Sequence, residues 1–427
     1  MAHRTYLRTM GVTFTLVCTL AALINYLVDP YGLFGVPRID GLNARKPAAA
    51  DRVRIVKPYQ VRRMHPRTLI GGNSRPEAGI DPRSPCWSAD DAPVYNLGLP
   101  GASLYTQQRY LQSSLADGGV ELLLLGVDLL DFLVPAHFGK PFAAWPAHPE
   151  SFETRLGHRA DGSANARAWQ QALQDGLTAL FSLETLGDSL WTLYSQRNLY
   201  ADDRRADGFN PAQNYRPIVA AEGQAVLFVQ KNREVVERLR SQQVLFQDNS
   251  NWSEAFEALE RLLRTAKDTR TKVILFINPY HAEYLAAVAR NGRWSDLEAW
   301  KRRLVQVVAK HHQSDGGDVL LWDFNGFDAY STEPAPSPGD TQSMLRWFWE
   351  PAHYRSEFGN LMLAAMLETS CSEPLTTGLP GVRLSSVNIE DHLAQLRAAR
   401  NDWLARHPSE PLRLDGRGTS VGHEAGN

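Results

Sequence analysis

Five short apolar runs set the architecture open to this chain. They are Thr68–Gly71, Val94–Leu97, Glu121–Gly126, Lys272–Asn278 and Val319–Phe324, and each ends in polar or glycine-containing residues. Helical patterns lie between most of them. One starts at Ser103 and stops at Gly118-Gly119, and another covers Asp296 to Lys310. A third carries Phe256, Leu259, Leu262 and Leu263, with Asn251 and Glu254 offering a capping-box-like start. Strands that alternate with helices predict an α/β fold whose mostly parallel sheet, of about five strands, is covered on both faces.

About 145 residues separate the third run from the fourth. Within this gap, residues 166–196 place Trp169, Leu173, Leu177, Leu180, Leu183, Leu186, Leu190 and Leu193 three or four positions apart. Residues 226–246 repeat the pattern more weakly. A stretch this long without structure does not suit a compact domain, so it reads as a helical insertion over about 135–250 that caps the site. The polar, Pro- and Gly-rich pieces near 140–165 and 200–225 read as loops.

Ahead of the sheet, Thr9 to Val28 is a run of twenty residues without a charge. About twenty apolar residues suffice to cross a bilayer. No small-x-small cleavage site sits just before Asp29-Pro30-Tyr31, so the run reads as an uncleaved signal anchor rather than a removed signal peptide. Arg4 and Arg8 on one side are balanced by Arg38, Arg45 and Lys46 on the other, and the positive-inside count leaves orientation open. Residues 38–67 carry nine Lys/Arg against Asp40 and Asp51. They read as a solvated linker touching anionic headgroups. The domain plan is therefore an anchor (1–30), a basic linker (31–66), a body (67–375), and a C-terminal amphipathic helix with a polar tail (376–427).

The 427 residues carry a formal net charge of −2, which gives no global field for nucleic acid. Cys18, Cys86 and Cys371 are the only cysteines, and none stands in a zinc-type spacing with histidine. No metal or cofactor is expected. With the body outside the cytoplasm, Cys86 and Cys371 are the candidates for a disulfide, although spacing alone does not bring them within bonding distance.

In an open parallel sheet, ligands bind beyond the carboxyl ends of the strands. The residues placed there are Asn73-Ser74, Asn96 to Gly101, Gly126-Val127-Asp128, Asn278 to His281, and Asp323 with Asn325. Glu350-Pro351-Ala352-His353 follows the fifth run. A serine on a glycine-rich turn needs a base, and the base needs a group to orient it. Ser74, His353 and Glu350 supply the three types. The proline between Glu350 and His353 favours a turn there over a regular helix.

From about 65 to 370 this arrangement resembles the SGNH (GDSL-like) hydrolase superfamily. Gly72-Asn73-Ser74 stands for its nucleophile block, Gly98 or Gly101 for its oxyanion glycine (with Gly101 favoured), and Glu350-x-x-His353 for its Asp-x-x-His pair. The resemblance implies a three-layer flavodoxin-like fold. It also implies a serine esterase or O-acyltransferase acting on a polysaccharide at the bacterial cell surface, held in the inner membrane with its body outside and working beside other polysaccharide-modification proteins. The family's Gly-x-Asn-Asp block is missing. Gly126-Val-Asp128 takes its place, and Asn96 or Asn278 would have to replace the lost amide donor. A non-catalytic polysaccharide-binding or scaffold protein is the alternative.

Other residues carry two readings. Asn73, Arg75, Asn278, His281 and Asp128 are candidate substrate contacts. Against this, Arg75 would pair with Glu77 or Asp81, and Asp128 and Asp131 would only cap the segment after them. His281 is a rival base, with Glu283 the nearest carboxylate. Trp347-Phe348-Trp349 would pack in the core or stack on sugar rings.

Overall fold

The computed structural model describes residues 2–136, 152–201, 203–313, 319–371 and 378–407. The polar tail from 408 onward, and residues 140–151 of the loop expected near 140–165, lie outside them.

The strands are β1 (Thr68–Gly71), β2 (Val94–Asn96), β3 (Leu122–Val127), β4 (Lys272–Ile277), β5 (Val319–Asp323) and β6 (Val382–Leu384). They form one sheet in the order β6-β5-β4-β3-β1-β2. All pairs are parallel except β5 with β6. The five apolar runs are the five parallel strands, and the antiparallel edge strand is an addition to the expected sheet. The helices that matter here are α1 (Ala2–Val28), α2 (Val53–Met64), α3 (Ser74–Gly79), α4 (Leu104–Ala116), α5 (Ala168–Phe181), α6 (Leu183–Ser195), α7 (Gln224–Leu239), α8 (Glu254–Asp268), α9 (Ala282–Arg290), α10 (Trp294–Gln313), α11 (Ser356–Leu367) and α12 (Ile389–Arg406).

Side chains alternate across a strand, and here the alternation feeds two cores. Leu69, Leu123, Leu125, Val273 and Leu275 point to one face, where α4, α8 and α10 cover them. Ile70, Leu124, Ile274 and Phe276 point to the other, under α11. Register keeps the faces together, with Leu69 beside Leu123 and Leu123 beside Val273.

Several expectations are corrected. α8 is capped at Ser253 rather than Asn251, which sits at a φ of 57° two residues earlier. Part of the expected loop at 200–225 is a helix, Tyr215–Glu222. Residues 31–66 are no solvated linker. α2 packs on the body, and the buried Lys57 donates to Glu77 (2.9 Å) and to the Gly98 carbonyl (2.6 Å). The body also extends beyond 375. Ile389, Leu393, Leu396 and Trp403 of α12 belong to the larger core, and β6 pairs with β5. Finally, α5 and α6 do not cap the site. They pack against α1, where Asn25 donates to the Leu180 carbonyl (2.9 Å) and accepts from Ser189 (2.9 Å).

Among the described residues one helix, His3–Val28, is long and apolar enough to cross a membrane, with a mean hydropathy of 1.9 over its most apolar window. Cys86 and Cys371 form a disulfide across 285 residues, with their Cα atoms 4.9 Å apart.

Candidate active site

β1 ends at Gly71, and the chain turns sharply into α3 through Gly72 and Asn73. Gly72 has a φ of 132°, and a Cβ there would come within 2.8 Å of the Gly126 carbonyl oxygen and 2.7 Å of Pro76. A side chain would thus push β1 and β3 apart at the site. Asn73 is the N-cap of α3 and accepts from the Arg75 amide at 3.0 Å. This fixes Ser74 as the first helical residue, whose N–H has no intrahelical acceptor.

The second piece arrives from the far end of the body. Phe348–Glu350 and His353–Tyr354 form a two-stranded antiparallel ribbon in which Glu350 pairs with His353. Pro351 and Ala352 make its turn, as the proline predicted. His353 Nε2 lies 2.8 Å from Ser74 Oγ, and Nδ1 bonds to Glu350 Oε1. Glu350 Oε2 accepts the Ala352 N–H at 2.7 Å. Burial raises the Glu350 carboxyl, but the charge and hydrogen bond of His353 outweigh it and leave the group below the ordinary carboxylate range. The three residues therefore form a connected hydroxyl–imidazole–carboxylate line, with the carboxylate in position to hold the Nδ1–H tautomer.

Ser74 and His353 open on a cleft of about 470 Å³. Gly101 to Tyr105 form one wall, Leu130 to Pro135 another, and Lys231, Glu234, Val235 and Arg238 of α7 a third. Of the oxyanion candidates, Gly101 lines this cleft, at a φ of 61°. Gly98 and Asn96 do not. Asn96 spends its amide on the Pro76 and Ile80 carbonyls, holding the end of α3, and accepts from the Gly98 N–H.

Asp128 corrects the sequence reading most. It makes no side-chain cap. Its fully buried carboxylate instead accepts from Asn73 (2.5 Å), Arg75 (2.8 Å), Asn278 (3.1 Å) and the Tyr280 hydroxyl. Arg75 pairs with Asp128, rather than with Glu77 or Asp81, and also donates to the Ala352 carbonyl at 3.0 Å. Its guanidinium lies over the rings of Tyr280 and Tyr284. One hub thus ties the nucleophile turn to the loop that carries the base. Asn73 and Arg75 still border the cleft, whereas Asp128 and Asn278 stand behind it.

Asp131 was assigned only a cap, yet it faces the cleft and accepts from Asn73 (2.9 Å) and Gln107 (3.1 Å). Burial first, and then the Asp128 charge, push its carboxyl up to about 6. His281 is no rival base. It is buried as the N-cap of α9, with Nε2 at the Glu333 carbonyl and its ring edge-on to Phe228 and Phe348. Trp347, Phe348 and Trp349 are buried as well.

Sequence reading missed Lys231, Glu234 and Arg238. They lie at i, i+3 and i+7 of one helix, a spacing that shares a face, while Phe228, Val236 and Leu239 on an adjoining face of the same helix are buried. A charged stripe beside an apolar one was the available signal. Comparison with protein-family models finds no match for this chain, and comparison with curated proteins finds none either.

Proposed function

We propose that this protein is a membrane-anchored, SGNH-type serine ester hydrolase or O-acyltransferase whose substrate is an acylated cell-surface polysaccharide. The observation that carries the reading is the line Ser74–His353–Glu350, with 2.8 Å between hydroxyl and imidazole. The five parallel strands run in the order 2-1-3-4-5, which is that of flavodoxin-like sheets, and the site sits at the carboxyl ends of the strands, as that topology favours. The Cys86–Cys371 disulfide suits a body in an oxidising compartment outside the cytoplasm. A cleft bordered by Lys231, Glu234 and Arg238 suits a polar glycan.

Ser74 Oγ bonds to the ester carbonyl carbon as its proton passes to His353 Nε2. Negative charge collects on the former carbonyl oxygen, and we assign the Ser74 and Gly101 backbone N–H groups to it as donors. The tetrahedral species collapses, the ester C–O bond breaks, and the leaving alcohol takes the proton from His353. Water or a sugar hydroxyl then attacks acyl-Ser74 and loses its proton to His353, the acyl–Oγ bond breaks, and Ser74 Oγ takes that proton back as the acid or the new ester leaves. Glu350 stabilises the imidazolium in both halves.

One observation favours the non-catalytic alternative. The amides of Asn73, Asn96 and Asn278 are all engaged in hydrogen bonds, so none of these three replaces the missing Gly-x-Asn-Asp asparagine. One such donor is worth about 2.7–4 kcal/mol in the transition state. A fluorophosphonate probe on the full-length protein separates the readings. Labelling of the wild type that vanishes in Ser74→Ala is the outcome expected of the enzyme. A folded wild type that stays unlabelled overturns it in favour of a binding protein. Acetyl release from a synthetic ester, with and without an oligosaccharide acceptor, then distinguishes hydrolysis from transfer.

A further inference from the structure

The hairpin of α5 and α6 is built inside out. On α6 the buried positions are Thr185, Ser189, Thr192 and Ser195, a polar helical stripe facing inward. On α5 the exposed positions include Trp169, Leu173, Leu177 and Phe181, an apolar stripe with a repeat of four facing outward. α6 continues the outward face with Leu190, Trp191 and Tyr194. Leu183, at the turn, is 81% exposed. A helix on a water-soluble body shows the opposite pattern, with its apolar stripe toward the core.

The charges of the hairpin are few. It carries three charged side chains, all carboxylates, and each has a partner on the body. Asp175 meets Tyr59 (2.7 Å) and Arg155 (2.6 Å), Glu184 meets Arg52, and Asp188 accepts from Tyr31 (2.5 Å). Asp175 and Asp188 are thereby drawn off the outward face, and Glu184, 68% exposed, is the one charge left at its edge, in the first turn of α6 and paired with Arg52. Outside α1, the large exposed apolar side chains of the described residues concentrate between Trp169 and Tyr200.

The face is also continuous with α1. The intermediate and buried positions of α1 are Cys18, Ala21, Ala22, Ile24, Asn25 and Val28, all in its C-terminal part. Asn25, the one polar side chain near the middle of this contact, is satisfied by Ser189 and the Leu180 carbonyl. Lys46 fixes the end of α1 to the body by donating to the carbonyls of Val28 (2.9 Å) and Asp29 (2.5 Å). The hairpin therefore sits where α1 leaves the body, at the level of the leaflet that faces it. α5 and α6 have 14 and 13 residues, about 21 and 20 Å at 1.5 Å per residue. Each is too short to cross a hydrocarbon core of about 30 Å. Amphipathic helices of this kind lie in the interfacial plane with the apolar face in the headgroup–acyl boundary, and tryptophan and tyrosine favour that depth.

We propose that the α5–α6 hairpin is a second membrane-contacting element, lying in the interface of the body-side leaflet with its Trp/Leu/Phe face against lipid. The proposal rests on the anchoring of α1 and not on the esterase chemistry. Its consequence is a fixed height and orientation of the body above the bilayer, where a single helix alone would leave the body free to tumble.

The test uses full-length protein in phosphatidylcholine vesicles, in a Cys18→Ser background with the disulfide intact. Single cysteines at Leu177→Cys and Leu190→Cys report on the hairpin, Leu16→Cys on α1, and Ser386→Cys on an exposed loop of the body. Each carries an environment-sensitive fluorophore, and circular dichroism melts matching the wild type show that the fold is kept. The hairpin labels should emit to the blue of the 386 label, lose intensity to brominated lipid, and resist aqueous iodide. Iodide quenching of the hairpin labels alongside bromolipid quenching at 16 would overturn the hairpin proposal while leaving the anchor. Protection from both quenchers would mean that protein covers the face, either a second copy or a partner, and would overturn it too. A label at 16 untouched by bromolipid would remove the anchor and the proposal together.

Discussion

Ser74 and His353 are 279 positions apart in the chain, yet their side chains meet at 2.8 Å. The meeting rests on two buried links rather than on one surface contact. Arg75, next to the serine, holds the Ala352 carbonyl next to the histidine, and Asp128 holds Arg75. Tyr354, just after the histidine, bonds to Asn278, which also bonds to Asp128. The serine and the imidazole are therefore positioned by one polar cluster.

Glu350→Gln should separate orientation from binding. The amide has nearly the same volume, but it can neither hold the Nδ1–H tautomer as well nor stabilise the imidazolium. By analogy with triads in general, the acyl-transfer rate should fall by roughly 10⁴-fold. Because the side chain is buried behind the ring, KM for a synthetic ester should change little. Pre-steady-state kinetics on wild type and variant measure this, and an unchanged rate would remove Glu350 from the mechanism.

Asp128→Asn tests the hub. The change leaves the buried Arg75 guanidinium without its counter-charge, a loss that typically costs 3–5 kcal/mol. The double variant Arg75→Met/Asp128→Leu removes both charges and should cost less than Asp128→Asn alone. Urea midpoints give the comparison. If the double variant were the less stable one, the hub would contribute through the hydrogen bonds that Asp128 accepts from Asn73, Asn278 and Tyr280 rather than through charge.

Asp131 gives a pH signature of defined sign. Its carboxyl is raised from 3.8 to about 6, so the folded state binds its proton more tightly than the unfolded chain does. The stability from this group is full below pH 4 and is lost as pH rises through about 6, a change of roughly 3 kcal/mol at 1.36 kcal/mol per unit. Glu350 acts in the opposite sense, since its carboxyl is lowered and its contribution is lost as pH falls through its folded value. Asp131→Asn should therefore gain stability relative to wild type between pH 4 and pH 7. Parallel denaturation curves in that interval would contradict the assignment.

The sequence made the sheet readable because parallel strands buried on both faces are runs of apolar residues bounded by turn residues, as in Leu122–Val127 and Lys272–Ile277. The Ser74/His353/Glu350 set was readable because a local motif carries each half. What failed is what depends on long-range packing. The Asp128 hub draws its donors from positions 73, 75, 278 and 280, and no local pattern announces that they converge. The edge strand Val382–Leu384 has only three residues, two of them exposed. The leucine repeat of 168–195 gave the helices correctly but pointed its apolar face to the wrong side, because periodicity shows that a face is apolar and not what covers it. In the sequence Lys57 reads as one more solvated cation, and only the fold brings Glu77 and the Gly98 carbonyl around it.

The disulfide should contribute stability without shaping the site. Cys86 lies on the segment after the nucleophile helix α3, and Cys371 lies just beyond α11, the helix that follows the base. The bond thus ties together the same two parts of the chain that meet at Ser74 and His353. These parts are already in close contact without it. A Cβ added at Gly359 of α11 would fall 1.8 Å from the Gly79 carbonyl oxygen, and Ser84 bonds to Asn360 at 2.7 Å. Removing the bond should therefore leave the folded geometry in place and act chiefly on the unfolded chain, where the cross-link closes a long loop. For Cys86→Ser/Cys371→Ser the expected loss is about 2–4 kcal/mol. Fluorophosphonate labelling at 20 °C should remain at the wild-type rate, and the urea midpoint should drop to that of the reduced wild type. A variant that melts like the oxidised wild type would show that the link is not formed in the native protein, and would take away the support it lends to a body outside the cytoplasm.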